Sequence, residues 1–417
     1  MKKLTVLFLF LITCASPFTA FALDIDPVFT KEQYDYYKNL GLQGTTVNVY
    51  NWGEYISDGK EGTMDVVAEF ERLTGTEVNY TNFESNENMY SKLAGGGVSY
   101  DVIVPSDYMI DRLIDEDMLL PLDYNNIPNI KYIDPKFKNL YFDPDQIYTV
   151  CYNVGTTVLI YNKKLVEQEP DSWRVLWDEQ YRDKVLMFNN PRDAFAIAQA
   201  VLGSDFNSTD EQDWVDAAQL LAEQRDKVKP VYVMDEVFNL MESGEYAFAT
   251  YYAGDYLLML ENNEDLGYCF PKEGVNDFYD AFCIPVCSQN KKGAEAFINF
   301  MHEPQVAYEN CEYIYYRSPN VTVAENEESS LYGSEVIYAD GITAQHFKNL
   351  PQNITELENN LWTSVKSGKL SAGSEKQEQR IYIECAVLAA AALIVIAAKI
   401  VSGVKKKNEQ DLSDLYD

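Results

Sequence analysis

The stretch Thr46-Val47-Asn48-Val49-Tyr50-Asn51-Trp52-Gly53-Glu54-Tyr55 opens as a strand and breaks at a glycine. Thr46–Asn51 is rich in β-formers, and Trp52 to Tyr55 sit where such a strand would end. The period then changes. Met64–Leu73 carries Val66, Val67, Phe70 and Leu73 at helical spacing, with Gly75 placed to cap the end. Glu77–Tyr80 returns to a strand pattern, and Asn86–Leu93 reads as a short helix before Gly95-Gly96-Gly97. Tyr100–Val104 is a strand stopped by Pro105, and Ser106 opens another helix. This alternation predicts an α/β fold with a mainly parallel sheet and helices on both faces.

The rhythm continues along the chain. Thr156–Tyr161, Val185–Phe188, Ala247–Tyr252 and Asp280–Pro285 read as strands; Ala194–Leu202, Asp213–Gln224 and Gly293–Met301 read as helices. At 417 residues the chain is long for one ordinary core and suits two lobes with appendages. Ligands of open α/β sheets gather beyond the carboxyl ends of the strands. There the sequence offers Trp52 and Tyr55, Ser106 and Tyr108, Tyr252 and Asp255, and Phe278 with Asp280. An aromatic near a carboxylate recurs. A protonated alkylamine leaving water needs that pairing: its ammonium must meet a carboxylate or a ring face, and its methylenes want flat apolar walls.

Composition narrows the classes. The net charge is −33, from 33 basic and 66 acidic residues, which repels nucleic acid and concentrates cations. Solubility alone also explains such a surface, so bulk charge names no ligand. With two histidines, His302 and His346, a His-based metal centre or a Ser-His-Asp triad has little to build on. The seven cysteines form no CxxC repeat and read as buried thiols, although one disulfide stays open.

The two ends differ from the body. Lys2-Lys3, an apolar run from Leu4 to Cys14, and Ala20-Phe21-Ala22 read as a secretory signal over 1–22; lipidation of Cys14 ranks second. Residues 23–45 form a polar, tyrosine-rich extension, either a helix or a linker. Residues 381–404 are largely apolar, unbroken from Cys385 to Ala398, and are followed by Lys405-Lys406-Lys407. That pattern predicts a C-terminal transmembrane helix, a cytoplasmic tail over 405–417 and an extracytoplasmic body, at the cell surface or in a periplasm. A buried alanine-rich core helix is the other reading.

Taken in order, the motifs carry a resemblance. Tyr50 to Tyr55, then Phe83-Glu84-Ser85-Asn86-Glu87-Asn88-Met89-Tyr90-Ser91-Lys92-Leu93, then Tyr100 to Ser106 resemble successive signatures of the polyamine-binding proteins of bacterial ABC importers. Pro271-Lys272-Glu273-Gly274, Phe278-Tyr279-Asp280, Ile284-Pro285 and Tyr316-Arg317-Ser318-Pro319-Asn320 extend it, over roughly 46–370. The resemblance implies a two-lobed periplasmic-binding-protein-like fold over 46–378, with a hinge and an interlobe ligand cleft. The first lobe would take about 46–154 and 279–325, the second about 155–278 and 326–378. Trp52, Tyr108, Tyr252, Phe278 and Tyr316 would wall the alkyl chain. Tyr55 and Ser106 would make polar contacts, Asp280 would grip an ammonium, and Asp193 and Asp255 would add acids. Asn190 stands where spermidine-preferring members carry aspartate, and Asp255 matches putrescine-preferring ones, which leans toward a diamine. Gly53 replaces a usual Thr or Ser. A glutamine contact near the end would fall at Gln352 or Asn353.

The function implied is capture of putrescine or spermidine for an ABC permease and its ATPase, with no catalysis and no cofactor. Other readings remain: the same fold serving another solute, a glycosidase using paired carboxylates among Asp193, Asp255 and Asp280, or a sensor signalling through the span.

Overall fold

The computed structural model describes residues 28–339 and 341–370. The signal segment, the apolar run 381–404 and the tail lie outside the described residues. Among those described, no helix is long and apolar enough to cross a membrane.

Ten strands run as β1 (Thr46–Trp52), β2 (Glu77–Phe83), β3 (Val102–Ile103), β4 (Val150–Asn162), β5 (Val185–Phe188), β6 (Val231–Val233), β7 (Phe248–Tyr252), β8 (Leu266–Cys269), β9 (Val275–Phe282) and β10 (Ala344–Gln345). They form two sheets. The first has the order β2-β1-β3 and is parallel throughout. The second has the order β10-β9-β4-β7-β5-β6, with β8 also paired to β4. The expected parallel sheet therefore holds for the first lobe. The second is mixed: β5 is parallel to β6 and β7, but β4 runs antiparallel to β7, β8 and β9.

The reason lies in β4, 13 residues long and almost wholly buried. Its second half, Thr157–Asn162, pairs with β7 and β8 inside the second lobe. Its first half, Val150–Thr156, pairs with Asp277–Phe282 of β9, and this segment is tied to the first lobe by the bridge Ser106–Asp280 and, just past its end, Ile103–Cys283. One strand leaves the first lobe and its antiparallel neighbour returns, so the pair forms the crossing between lobes. Gly155 is required there. A Cβ at that position would lie 2.2 Å from the Phe278 ring.

Local signals explain most of the helices. Gly75 closes the helix Val66–Thr74 with φ 71°, its N–H donating to the Glu71 carbonyl. Lys31–Lys38, within the extension read as helix or linker, is a helix started by a capping box at Thr30. It is docked on the first lobe, where the Tyr37 hydroxyl donates to Glu303 at 2.8 Å. Two expected strands shift: Tyr100–Val104 shortens to β3, and Asp280–Pro285 is displaced to Val275–Phe282. The five described cysteines of the body, Cys151, Cys269, Cys283, Cys287 and Cys311, are free thiols.

Candidate ligand-binding cleft

Helices follow the strands and start at the cleft. Ser106 precedes the helix Asp107–Asp115, Asn190 precedes Pro191–Leu202, Asp235 precedes Glu236–Glu242, and Tyr252 precedes Ala253–Asn262. Their N-termini border one cavity of about 260 Å³ between the lobes. Ten residues singled out from the sequence line it: Trp52, Tyr55, Ser106, Tyr108, Asp193, Tyr252, Asp255, Phe278, Asp280 and Tyr316.

The rings interlock. Tyr55 stands edge-on to Tyr316, with centroids 4.9 Å apart, and Tyr252 edge-on to Phe278 at 5.3 Å. Trp52 leans on Phe83 at 4.5 Å, and its indole N–H donates to the Val104 carbonyl at 2.9 Å. Tyr108 packs edge-on to Phe347 and donates to Glu87 at 2.8 Å. These contacts fix the rings before any ligand arrives.

Each central carboxylate accepts from one tyrosine. The Tyr55 hydroxyl donates to Asp280 Oδ2 at 2.7 Å, Tyr252 to Asp193 Oδ2 at 2.9 Å, and Tyr316 to Asp255 Oδ2 at 2.9 Å. Asn190 Nδ2 adds a second donor to Asp193 at 2.7 Å. The other oxygens of Asp193 and Asp280, both Oδ1, are buried without a hydrogen-bond partner. A buried acceptor left bare is costly, and a bare carboxylate oxygen more so.

The electrostatics follow from burial. Desolvation pushes Asp280 up to about 6, against the Ser106 and Tyr55 hydroxyls, which pull it down. Asp193 rises to about 7 and Asp255 to about 8, in each case mainly by burial. Asp107, beside them, rises to about 8 for the same reason, with the Asp280 charge adding to it. The acids Glu54, Glu84, Asp107, Asp193, Asp235, Asp255 and Asp280 line the cavity, and among the described residues no Lys, Arg or His does. Arg192, the nearest cation in sequence, turns away: it donates to Asn207 at 2.9 Å and lies 4.7 Å from the Phe347 ring centroid. Among the described residues, no group of His, Cys, Asp or Glu is arranged to hold a metal ion.

Sequence reasoning missed several lining residues. Glu54 lies inside the opening motif and Asp107 next to Ser106, so position could have found both. Tyr251, next to Tyr252, could have been found the same way, whereas Asp235 and Phe238 carry no such signal. Gln352 and Asn353 are exposed at the start of the helix Gln352–Lys366; Phe347 reaches the cavity instead.

With this geometry in place, likeness to known proteins is informative. Residues 65–334 match the family model of the bacterial extracellular solute-binding proteins. The chain belongs to that family. A spermidine/putrescine-binding periplasmic protein of Escherichia coli K12 is 30% identical over 303 residues, 72% of this chain and 85% of its own. The putrescine-binding periplasmic protein PotF of the same organism is 29% identical over 356 residues, 79% of this chain and 94% of its own. Among solved structures, the spermidine/putrescine ABC transporter substrate-binding protein PotD of Streptococcus pneumoniae matches at 32% identity with a TM-score of 0.64, covering 78% of this chain and 99% of that one. AgtB of A. tumefaciens R10, in complex with agropinic acid, shares the fold at 15% identity and a TM-score of 0.58, covering 78% of this chain and 98% of that one. The two-lobed fold of this solute-binding protein thus serves unlike ligands, and the ligand must be argued from the cleft.

Proposed function

We propose that this solute-binding protein captures a polyamine between its lobes and presents it to the permease of an ABC importer. One observation carries the reading. Two buried carboxylate oxygens, on Asp193 and Asp280, lack partners in an aromatic cavity that, among the described residues, no Lys, Arg or His lines. An ammonium satisfies each of them by charge and by hydrogen bond. Methylenes between the ammoniums would lie along Trp52, Tyr252, Phe278 and Tyr316. Tyr55, Ser106 and Tyr108 would complete the polar and aromatic walls, with Asp255 the third acid. The names of the similar proteins, which bind spermidine and putrescine, support the same ligand class. Binding, not bond-breaking, fits a site whose three central acids, Asp193, Asp255 and Asp280, are each held by a tyrosine hydroxyl.

The apolar run Cys385–Ala398 and the lysines after it support a tether that holds the body outside the membrane near its permease. A body released into the soluble fraction with the chain intact would defeat that part of the reading.

Isothermal titration of the purified protein with putrescine, spermidine and a neutral sugar tests the main claim. We expect one polyamine per chain and no heat from the sugar. Trp52→Ala should weaken binding about tenfold by removing a ring face from the alkyl chain. A folded protein that ignores both polyamines would mean the scaffold serves another solute.

A further inference from the structure

Asp235 occupies a position where an aspartate ordinarily caps a helix. It precedes Glu236–Glu242, and a capping side chain there would accept from the backbone of the first turn. It makes no such bond. Its carboxylate turns into the cleft, where Oδ1 accepts from the Tyr251 hydroxyl at 3.0 Å. Tyr251 is itself fixed, stacked on Phe188 at 5.6 Å and edge-on to Phe238 at 6.1 Å. The other oxygen points at the opposite lobe. A Cβ on Gly53 would lie 2.8 Å from Asp235 Oδ2, closer than real contacts come. The glycine leaves room for this carboxylate at the place where the lobes meet.

From this placement we infer that Asp235 is a specificity-determining residue: reaching across the cleft to Gly53, it forms with Glu54 and Asp255 a subsite for a third ammonium, and so favours a triamine over a diamine. The inference rests on the polyamine reading above. Asp193, Asp255 and Asp280 already outnumber the charges of a diamine. Asp235 and Glu54 line the same cavity beside Asp255, and both act electrostatically on it. Carboxylates crowded in this way either take up protons or collect as many cations as they can hold. The lean toward a diamine came from the neutral Asn190 together with Asp255, and Asn190 is the half of it that removes a charge. That residue instead caps its helix through Arg192 N–H and donates to Asp193, so the extra charge enters at Asp235, on another element of the same lobe.

The test compares spermidine and putrescine on the full-length wild type, on Asp235→Asn, on Asp235→Ala, on Gly53→Ala, and on Gly53→Ala combined with Asp235→Ala. Asparagine keeps the shape and the Tyr251 bond, so folding is preserved. Asp235→Asn should weaken spermidine about tenfold and putrescine by less than about threefold. Gly53→Ala should push the carboxylate aside and reproduce part of the spermidine loss. In the Asp235→Ala background the same alanine should add nothing, because its only close neighbour has gone. An unchanged ratio of spermidine to putrescine affinity in Asp235→Asn would overturn the inference while leaving the polyamine reading intact. A Gly53→Ala effect that persists in full without the Asp235 carboxylate would overturn it too. Failure of the wild type to bind either amine would bring down both.

Discussion

The two walls of the cleft hold their acids by different means. On the first-lobe side, Asp280 is carried by β9, a strand pinned between β4 and the Ser106 bridge, and its donor Tyr55 belongs to the same lobe. On the second-lobe side, Asp193, Asp235 and Asp255 sit at the starts of helices. One of these, Asp255, takes its donor from across the cleft, through the Tyr316 hydroxyl. Gly254 lies so close to the facing lobe that a Cβ would meet the Tyr315 carbonyl and the Tyr316 ring at 2.8 Å. The first wall is complete by itself, whereas the second is completed by closure. On the polyamine reading this predicts an order of events: Asp280 would receive the first ammonium, and Asp255 would be engaged as the lobes come together.

Removing Asp280 should break this comparison most severely. Asp280→Ala takes away the preassembled charge and leaves an ammonium bare in a buried site, at a cost of about 2–5 kcal/mol in binding. Titration should show polyamine affinity lower by roughly thirtyfold or more. A loss below about threefold would mean that the first wall is not where binding starts.

The pH response should be next in size. With the lobes placed as in this structure, burial raises Asp280 to about 6, Asp193 to about 7 and Asp255 to about 8, against roughly 3.9 in an unfolded chain. The native state therefore binds more protons than the unfolded state between about pH 4 and 8, so the unliganded protein should lose stability as pH rises through that window. An arriving ammonium reverses the balance, because a cation favours the ionised carboxylate. Polyamine affinity should climb from pH 6 to 8, by up to about tenfold per unit for each proton released. Titration at pH 7 in buffers of different ionisation enthalpy should show net proton release. Flat affinity with no release would mean that these acids are already ionised in the empty cleft.

How much of this could be read from the sequence depends on how local each signal is. Trp52 and Tyr252 end strands whose patterns are visible, and Tyr55, Ser106, Tyr108 and Asp255 come just after such strands, Tyr55 just past the turn behind β1 and the others at helix starts that face the cavity. Asp235 follows β6, three residues long with Val231 exposed, which gives no alternation to recognise. Phe347 lies in an irregular segment placed only by the fold around it. The mixed second sheet was illegible for a related reason. Strand direction is set by which distant strand β4 meets, and nothing in its own thirteen residues encodes that. The difference between the walls was illegible as well: nothing in the sequence shows that Asp255 takes its donor from the facing lobe while Asp280 takes its own from the same one.

The finest test of the two walls exchanges their tyrosine donors. Tyr55→Phe and Tyr316→Phe each remove one hydroxyl and keep the ring, so each should cost about 0.5–1.5 kcal/mol, the net worth of a single hydrogen bond. The cost should appear in different places. Asp280 already has one bare oxygen, and Tyr55→Phe removes the tyrosine donor from the other in a buried setting. That penalty is present with the lobes apart, so it should lower the melting temperature of the unliganded protein. The Tyr316 bond joins the lobes, and its loss should weaken the closed state alone. Tyr316→Phe should therefore release polyamine about two- to tenfold faster in stopped-flow dissociation, with the unliganded melting temperature nearly unchanged. If both variants lower the unliganded melting temperature equally, the lobes already hold each other without ligand, and the second wall is as preassembled as the first.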